Sequence, residues 1–214
     1  SSVAKVSGGE GIRIKPVGMH TKAEWTIQMS AIYSSLTRSN LTTAYLSNGT
    51  GGAFYTRISS TAGIQVKNGR DGDDTWTQIP LQAGKWLHIT YVHKDKKTTV
   101  YVNGKVQKVF ENSAITFGEN SMIVVGNSGY RNDYLREIRL WDKALTESEI
   151  NDYLYLPMDP ATPHLISYLP LSKEMETKDL KAPAGTENVT TKARIEYVEN
   201  VKFPADELVI VNQE

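Results

Sequence analysis

The chain contains no cysteine, carries no net charge and has no long apolar run, and each absence removes a class of protein. Without cysteine no disulfide can staple the fold, so 214 residues must build their own core, as 39% hydrophobic content allows. Lys plus Arg is 24 and Asp plus Glu is 24, with no block of either sign. A neutral chain has no long-range field to gather polyanions, which argues against nucleic acid as a partner. The longest apolar stretches, Met122–Val125 and Leu208–Val211, are far too short for a transmembrane helix. The chain opens Ser1-Ser2-Val3 without methionine, so a processed or trimmed product is expected. Three Asn-x-Thr sequons, at Asn40, Asn48 and Asn188, are read as turn chemistry rather than glycosylation.

What is present is period-two alternation. Trp25, Ile27, Met29 and Ala31 fall on one face and Thr26, Gln28 and Ser30 on the other, which predicts a half-buried strand. Ile12/Ile14, Phe54/Thr56/Ile58, Ile64/Val66 and Ile138/Leu140 repeat the pattern. Asn48-Gly49, Asn68-Gly69 and Asn103-Gly104 can each take the left-handed backbone of a type I′ hairpin. Across the last of these, Tyr101 is predicted to lie opposite Val106. One helix is predicted: Thr146-Glu147-Ser148-Glu149 forms a capping box, Ile150, Tyr153 and Leu154 follow at helical spacing, and Pro157 ends the segment. After it, strands are predicted at Leu165–Leu171, Ala193–Val198 and Glu207–Val211. The expected fold is all-β, a two-sheet antiparallel jelly-roll sandwich with one short helix, residues 1–214 forming a single domain that 158–214 completes.

The stretch Gly84-Lys85-Trp86-Leu87-His88-Ile89-Thr90-Tyr91-Val92, followed by Thr99-Val100-Tyr101-Val102-Asn103-Gly104, resembles the central hairpin of laminin-G-like domains. Val124-Val125-Gly126, Glu137-Ile138-Arg139-Leu140-Trp141 and Ala144-Leu145-Thr146 with Glu149-Ile150 resemble that family's closing signature. The resemblance covers about residues 84–154 and implies the concanavalin A-like jelly roll. It departs from the family pattern at Asp133, where glycine is usual, and at Arg136, where an acidic residue is common. Relatives hold calcium with acidic end loops, so these departures put a calcium site of that kind in doubt. Leu165–Leu171, followed by Asp179-Leu180, resembles the opening strand and loop of bacterial members. That likeness implies a processed part of a secreted or lipid-anchored protein, extracellular or on the bacterial cell surface.

Glycosidases of this fold place paired glutamates on one strand in a Glu-x-Asp-x-Glu pattern, which the chain lacks, and Glu137 is followed at i+2 by Arg139. No Gly-x-Ser-x-Gly elbow occurs. His88 and His93 are five apart and face opposite ways on a strand, so they cannot share a metal, and His88 is expected to be a packed strand residue. Asp71-Gly72-Asp73-Asp74 is read as a solvated turn, with calcium held by Asp71, Asp73 and Asp74 as the alternative. Trp25, Trp86 and Trp141 fall within the strand motifs and are expected to be structural.

Trp76 differs, because in Thr75–Leu81 it shares parity with Gln78 while Ile79 and Leu81 take the other face. It should therefore point outward beside the acidic loop. Tyr55 and Arg57 lie on the polar side of their strand, and Tyr130, Arg131, Asn132 and Tyr134 form a loop rich in hydrogen-bonding groups. Such residues suit carbohydrate: an aromatic face covers the C–H patch of a sugar and the polar groups bond its hydroxyls. The expected function is a non-catalytic carbohydrate-binding module with an oligo- or polysaccharide partner. A protein–protein adhesion or scaffold domain is the alternative, and a glycoside hydrolase the third.

Overall fold

The computed structural model describes residues 2–38, 41–47, 52–67, 71–111, 115–127 and 129–204. Among these residues twelve strands form one antiparallel system: β1 (Val3–Ile14), β2 (Trp25–Ile32), β3 (Leu41–Ser47), β4 (Gly52–Ser59), β5 (Gly63–Lys67), β6 (Trp86–Lys94), β7 (Lys97–Val102), β8 (Lys105–Phe110), β9 (Met122–Val125), β10 (Arg131–Trp141), β11 (Leu165–Leu169) and β12 (Val189–Val198). Among the described residues there is one α-helix, α1 (Glu147–Asp152), besides two short 3-10 turns.

The hydrogen-bonded path runs unbroken in the order β5-β4-β3-β9-β1-β10-β2-β6-β7-β8, with β11 on β10 and β12 on β1. The chain is therefore all-β and antiparallel, and its strands form a continuous, nearly closed sheet consistent with a β-sandwich. The continuity comes from β1. Its first half, Ala4–Ser7, pairs with β10, and its second, Ile12–Ile14, pairs with β9. Glycines make the bend between the halves: Gly9 and Gly11 have φ of 70° and 81°. A Cβ on Gly9 would sit 1.9 Å from the Lys192 carbonyl oxygen, so a side chain is barred there by space as well as by backbone angle.

The two flanks that leave β1 face each other across the main core. Trp25 of β2 packs edge-on against Phe54 of β4 at 5.2 Å, and Phe54 packs in the same way on Tyr91 of β6. Ile12, Ile14, Ile27, Met29, Ile58, Ile64 and Ile138 close around them, all fully buried. Each such side chain contributes about 1.5–3 kcal/mol of transfer free energy.

A second, smaller cluster lies on the outside of the β2–β6–β7 flank. Ile150 of α1, Leu145, Met158, Leu165 and Tyr168 pack there on Val92, Tyr101 and Trp141. This layer corrects the half-buried reading of β2. Thr26, Gln28 and Ser30 are as buried as the apolar face, and the polar atoms of Thr26 and Gln28 find partners within the protein. Gln28 accepts from the Trp141 indole at 2.8 Å and donates to Thr90 at 3.2 Å, while Thr26 donates to the Lys143 carbonyl at 2.7 Å.

Local signals are matched closely elsewhere. Asn103 and Gly104 both have positive φ, and Tyr101 pairs with Val106. The capping box is complete: Thr146 Oγ1 accepts from the Glu149 amide, and Glu149 Oε1 accepts from the Thr146 amide, each at 3.1 Å. The helix is shorter than predicted, since Tyr153 already lies beyond its end. The turns at Asn48-Gly49 and Asn68-Gly69, the sequons at Asn40 and Asn48, and the strand Glu207–Val211 lie outside the described residues.

Candidate functional site

Because α1 and the 158–171 segment cover the outside of β2–β6–β7, the outer face still available to a ligand on the other flank is that of β3–β4–β5. Register places its side chains in rows. Tyr45, Tyr55 and Lys67 form one row across β3, β4 and β5. Thr42, Arg57 and Gln65 form the next, and an isolated bridge from Gln65 to Trp76 extends it. Tyr55, Arg57 and Trp76 are thus brought to one face. The Tyr45 and Tyr55 rings stack at 6.0 Å, the Arg57 guanidinium lies over the Tyr55 ring at 5.1 Å, and the Thr42 and Tyr55 hydroxyls are 2.6 Å apart.

Trp76 is half-buried, by a different route from the one its parity suggested. Asp73–Thr75 form a 3-10 turn and Gln78 has φ of 60°, so the segment is not a regular strand. Thr77 is buried, as its parity with Ile79 and Leu81 implies, but Ile79 itself is 40% exposed, against the expected pattern. The indole walls a cleft of about 390 Å³ with Arg38, Ser59, Ser60, Asp73 and Gln78. These supply a cation, a carboxylate, two hydroxyls and an amide around one aromatic face. Arg38 is held rigidly: it donates to the Gly129 carbonyl at 2.7 Å and to Asp133 Oδ2 at 2.9 Å. Asp133, the departure from the family pattern, is fully buried and also accepts from Ser34 and from the Arg131 amide. It serves as an anchor behind the cleft.

The predicted 130–134 loop divides. Tyr130 is corrected to a core residue: it is 1% exposed, packs edge-on against Tyr33 and donates to the Thr43 carbonyl at 3.0 Å. Burial pushes its hydroxyl pKa well above the ordinary tyrosine value. It cannot stack on a ligand. Arg131 and Asn132 are exposed and Tyr134 is half-buried, but they lie beside β1 and none of them lines the Trp76 cleft.

The acidic loop is also committed elsewhere. Asp71 accepts from Lys67 at 2.9 Å and from Gln65 at 3.2 Å, and the Lys67 ammonium holds its carboxyl below the usual carboxylate range. Asp73 turns to the Trp76 cleft. Among the described residues no three His, Asp or Glu side chains converge as a metal site. Glu137 and Arg139, which stand where a glycosidase would need carboxylates, form a buried ion pair.

His88 is buried, as expected of a packed strand residue, and burial reinforced by the nearby Arg139 charge lowers its pKa to about 3. Trp25 and Trp141 are buried, while Trp86 is half-buried, packed on Phe203 and bonded to the Lys202 carbonyl. Sequence reading missed Tyr45, Arg38 and Gln78. Tyr45 carried the same alternation signal as Tyr55 and Gln78 shared the parity of Trp76, whereas Arg38 carried no signal.

The profile of the concanavalin A-like lectin/glucanases superfamily, in its laminin-G-like form, matches residues 7–151. The chain belongs to this family. No curated protein matches this lectin/glucanase-type chain. Among solved structures it is similar to a candidate carbohydrate-binding protein from Bacteroides ovatus, with TM-score 0.69 and 19% identity over 92% of this chain. The chain spans 59% of that protein. It is also similar to the heptameric SAP-like pentraxin of Limulus polyphemus, with TM-score 0.60 and 15% identity over 91% of this chain and 94% of that one. A third is domain 4 of the extracellular arabinanase AbnA of Geobacillus stearothermophilus, solved with arabinotriose, with TM-score 0.56 and 19% identity over 71% and 76%. At these identities the likenesses establish a shared fold.

Proposed function

We propose that this chain is a single jelly-roll domain acting as a non-catalytic carbohydrate-binding module at a bacterial cell surface. The observation that carries the reading is the Trp76 cleft: a half-buried indole facing fixed polar groups in a space of about 390 Å³, enough for one or two sugar rings. The sugar's apolar face lies on the indole, its hydroxyls bond Asp73, Gln78 and Ser59, and Arg38 frames the far wall. Arg57, in the same row as Trp76, and Tyr55, in the adjoining one, extend the surface for a longer saccharide. The carbohydrate-binding description of the Bacteroides ovatus relative and the arabinotriose bound to the arabinanase domain support the reading. A hydrolase of this fold needs two carboxylates across the scissile bond, and Asp73 is the carboxylate the cleft's lining provides.

Stacking one ring covers roughly 60 Å², about 1.5 kcal/mol, so a single site is weak. Trp76→Ala is expected to leave the melting temperature nearly unchanged and to weaken glycan binding about five- to thirtyfold, read on a glycan array followed by calorimetry. A stable variant with unchanged affinity would favour the protein–protein scaffold instead. Release of reducing ends from any glycan would restore the hydrolase.

The residues do not fit a family-type calcium site, since both Asp71 oxygens are already engaged and Asp133 is buried on Arg38. Adding about 1 mM calcium should therefore leave the melting temperature unmoved. A rise abolished by Asp73→Ala would overturn that assignment.

A further inference from the structure

The residues that separated from Trp76 meet others far away in sequence. On the outer face, Glu196, Lys5 and Tyr134 form one row across β12, β1 and β10, and Arg194, Ser7 and Arg131 form the next. With strands about 4.8 Å apart, the six side chains cover roughly 10 by 7 Å, about the footprint of one substituted sugar ring. A cavity of about 550 Å³ opens over the β1 and β12 side of this patch, lined by Lys5, Ser7, Asn132, Arg194, Ile195 and Glu196. Asn132, at φ of 56°, is pinned there: Ser7 Oγ donates to its side-chain oxygen at 2.7 Å and accepts from its amide at 3.1 Å.

The charge is unbalanced. Lys5, Arg131 and Arg194 form no ion pair among the described residues; Lys5 and Arg194 line the cavity with one carboxylate, Glu196, and Arg131 stands in the Ser7 row beside it. In a molecule whose formal charge is zero, three cations against the one carboxylate of Glu196 on this face, with a half-buried tyrosine in the same row, point to an anionic ligand with an apolar side. A guanidinium and an ammonium flanking a hydroxyl and an amide match a carboxylate borne on a hydroxylated ring.

We infer that this face is a second saccharide site, selective for sugars carrying a carboxylate and independent of the Trp76 cleft. The carboxylate sits between Lys5 and Arg194, Asn132 and Ser7 bond ring hydroxyls, and Tyr134 lies against the ring.

The test measures binding of the full chain to polygalacturonate, chondroitin sulfate, neutral galactan and single-stranded poly(dT), for the native protein, Lys5→Ala/Arg194→Ala and Trp76→Ala. Polygalacturonate should bind, and raising salt from about 50 to about 200 mM should weaken it. The double variant should melt like the native protein and lose about tenfold or more in polygalacturonate affinity. Trp76→Ala should bind polygalacturonate as the native protein does, even where it has lost neutral glycans. No binding of polygalacturonate, an unaffected double variant, or equal capture of galactan would overturn the site. Preference for chondroitin sulfate would move the ligand to sulfated sugars and overturn the carboxylate assignment. Equal capture of poly(dT) would reduce the face to an unselective polyanion surface.

Discussion

Arg139→Met is expected to destabilise the protein by about 3–5 kcal/mol, measured by urea unfolding, because it leaves a buried carboxylate without its counter-ion. Glu137 is 7% exposed and Arg139 2%, and the guanidinium donates to Glu137 through both Nε and Nη2. Arg139 also donates to the carbonyls of Leu156 and Tyr153, and Tyr168 donates to the second Glu137 oxygen at 2.8 Å. The pair thus ties β10 to the segment that leaves α1 and to β11. Adding Glu137→Gln to Arg139→Met should recover much of the loss, since no unpaired charge then stays inside. A single variant within about 1 kcal/mol of the native protein would show that water reaches Glu137 and that the covering layer is loose.

His88→Gln is expected to flatten the acid limb of the stability curve. His88 has a pKa of about 3 in the native protein against 6.5 for the free side chain. Burial is the larger cause and the Arg139 charge the second. The group is depressed, so between pH 6.5 and about 3 the unfolded chain binds a proton that the native protein refuses. Stability is full above 6.5 and is lost as pH falls through that window. Going from pH 7 to pH 4 this one group should cost about 3 kcal/mol. The non-titrating amide of His88→Gln should escape that cost, so the gap between variant and native protein should shift by about 3 kcal/mol in the variant's favour at pH 4. Parallel curves would show His88 protonating freely in the fold.

Both predictions concern the layer that the alternation of β2 could not show. Thr26, Gln28 and Ser30 read as a solvent face because period two reports only that two faces differ, not what lies over each. Here the second face is covered by α1, β11 and the turns between them, with a polar stratum of Gln28, His88, Thr90, Glu137 and Arg139 underneath. That cover also explains where a site can be, since it leaves the outer face of β3–β4–β5 open.

Signals confined to a few neighbouring residues were legible in the sequence. The Asn103-Gly104 turn, the Tyr101–Val106 pairing and the Thr146 cap each depend on atoms within a few positions of one another, so the chain specifies them locally. The inward faces of β2, β4, β5 and β10 were legible for the same reason, and with the ordered motifs they were enough to place the chain in its family. Tyr130 was not. It sits one residue before β10, where alternation has no purchase, and contact with Tyr33 and Thr43, 97 and 87 positions away, draws it inward. Trp76 was assigned to the surface on a strand parity that a 3-10 turn and a positive φ erased, and only its bridge to Gln65 fixes the face it shares with Arg57. The sequence by itself determined the inward faces of β2, β4, β5 and β10, the helix cap, the Asn103-Gly104 turn and the family. Only the tertiary structure decided which aromatic residues are buried, that Arg38 and Asp73 share the Trp76 cleft, and that Lys5 and Arg194 are neighbours. The physical reason is that antiparallel pairing joins residues at any sequence separation, and burial is a property of what comes to lie over a residue.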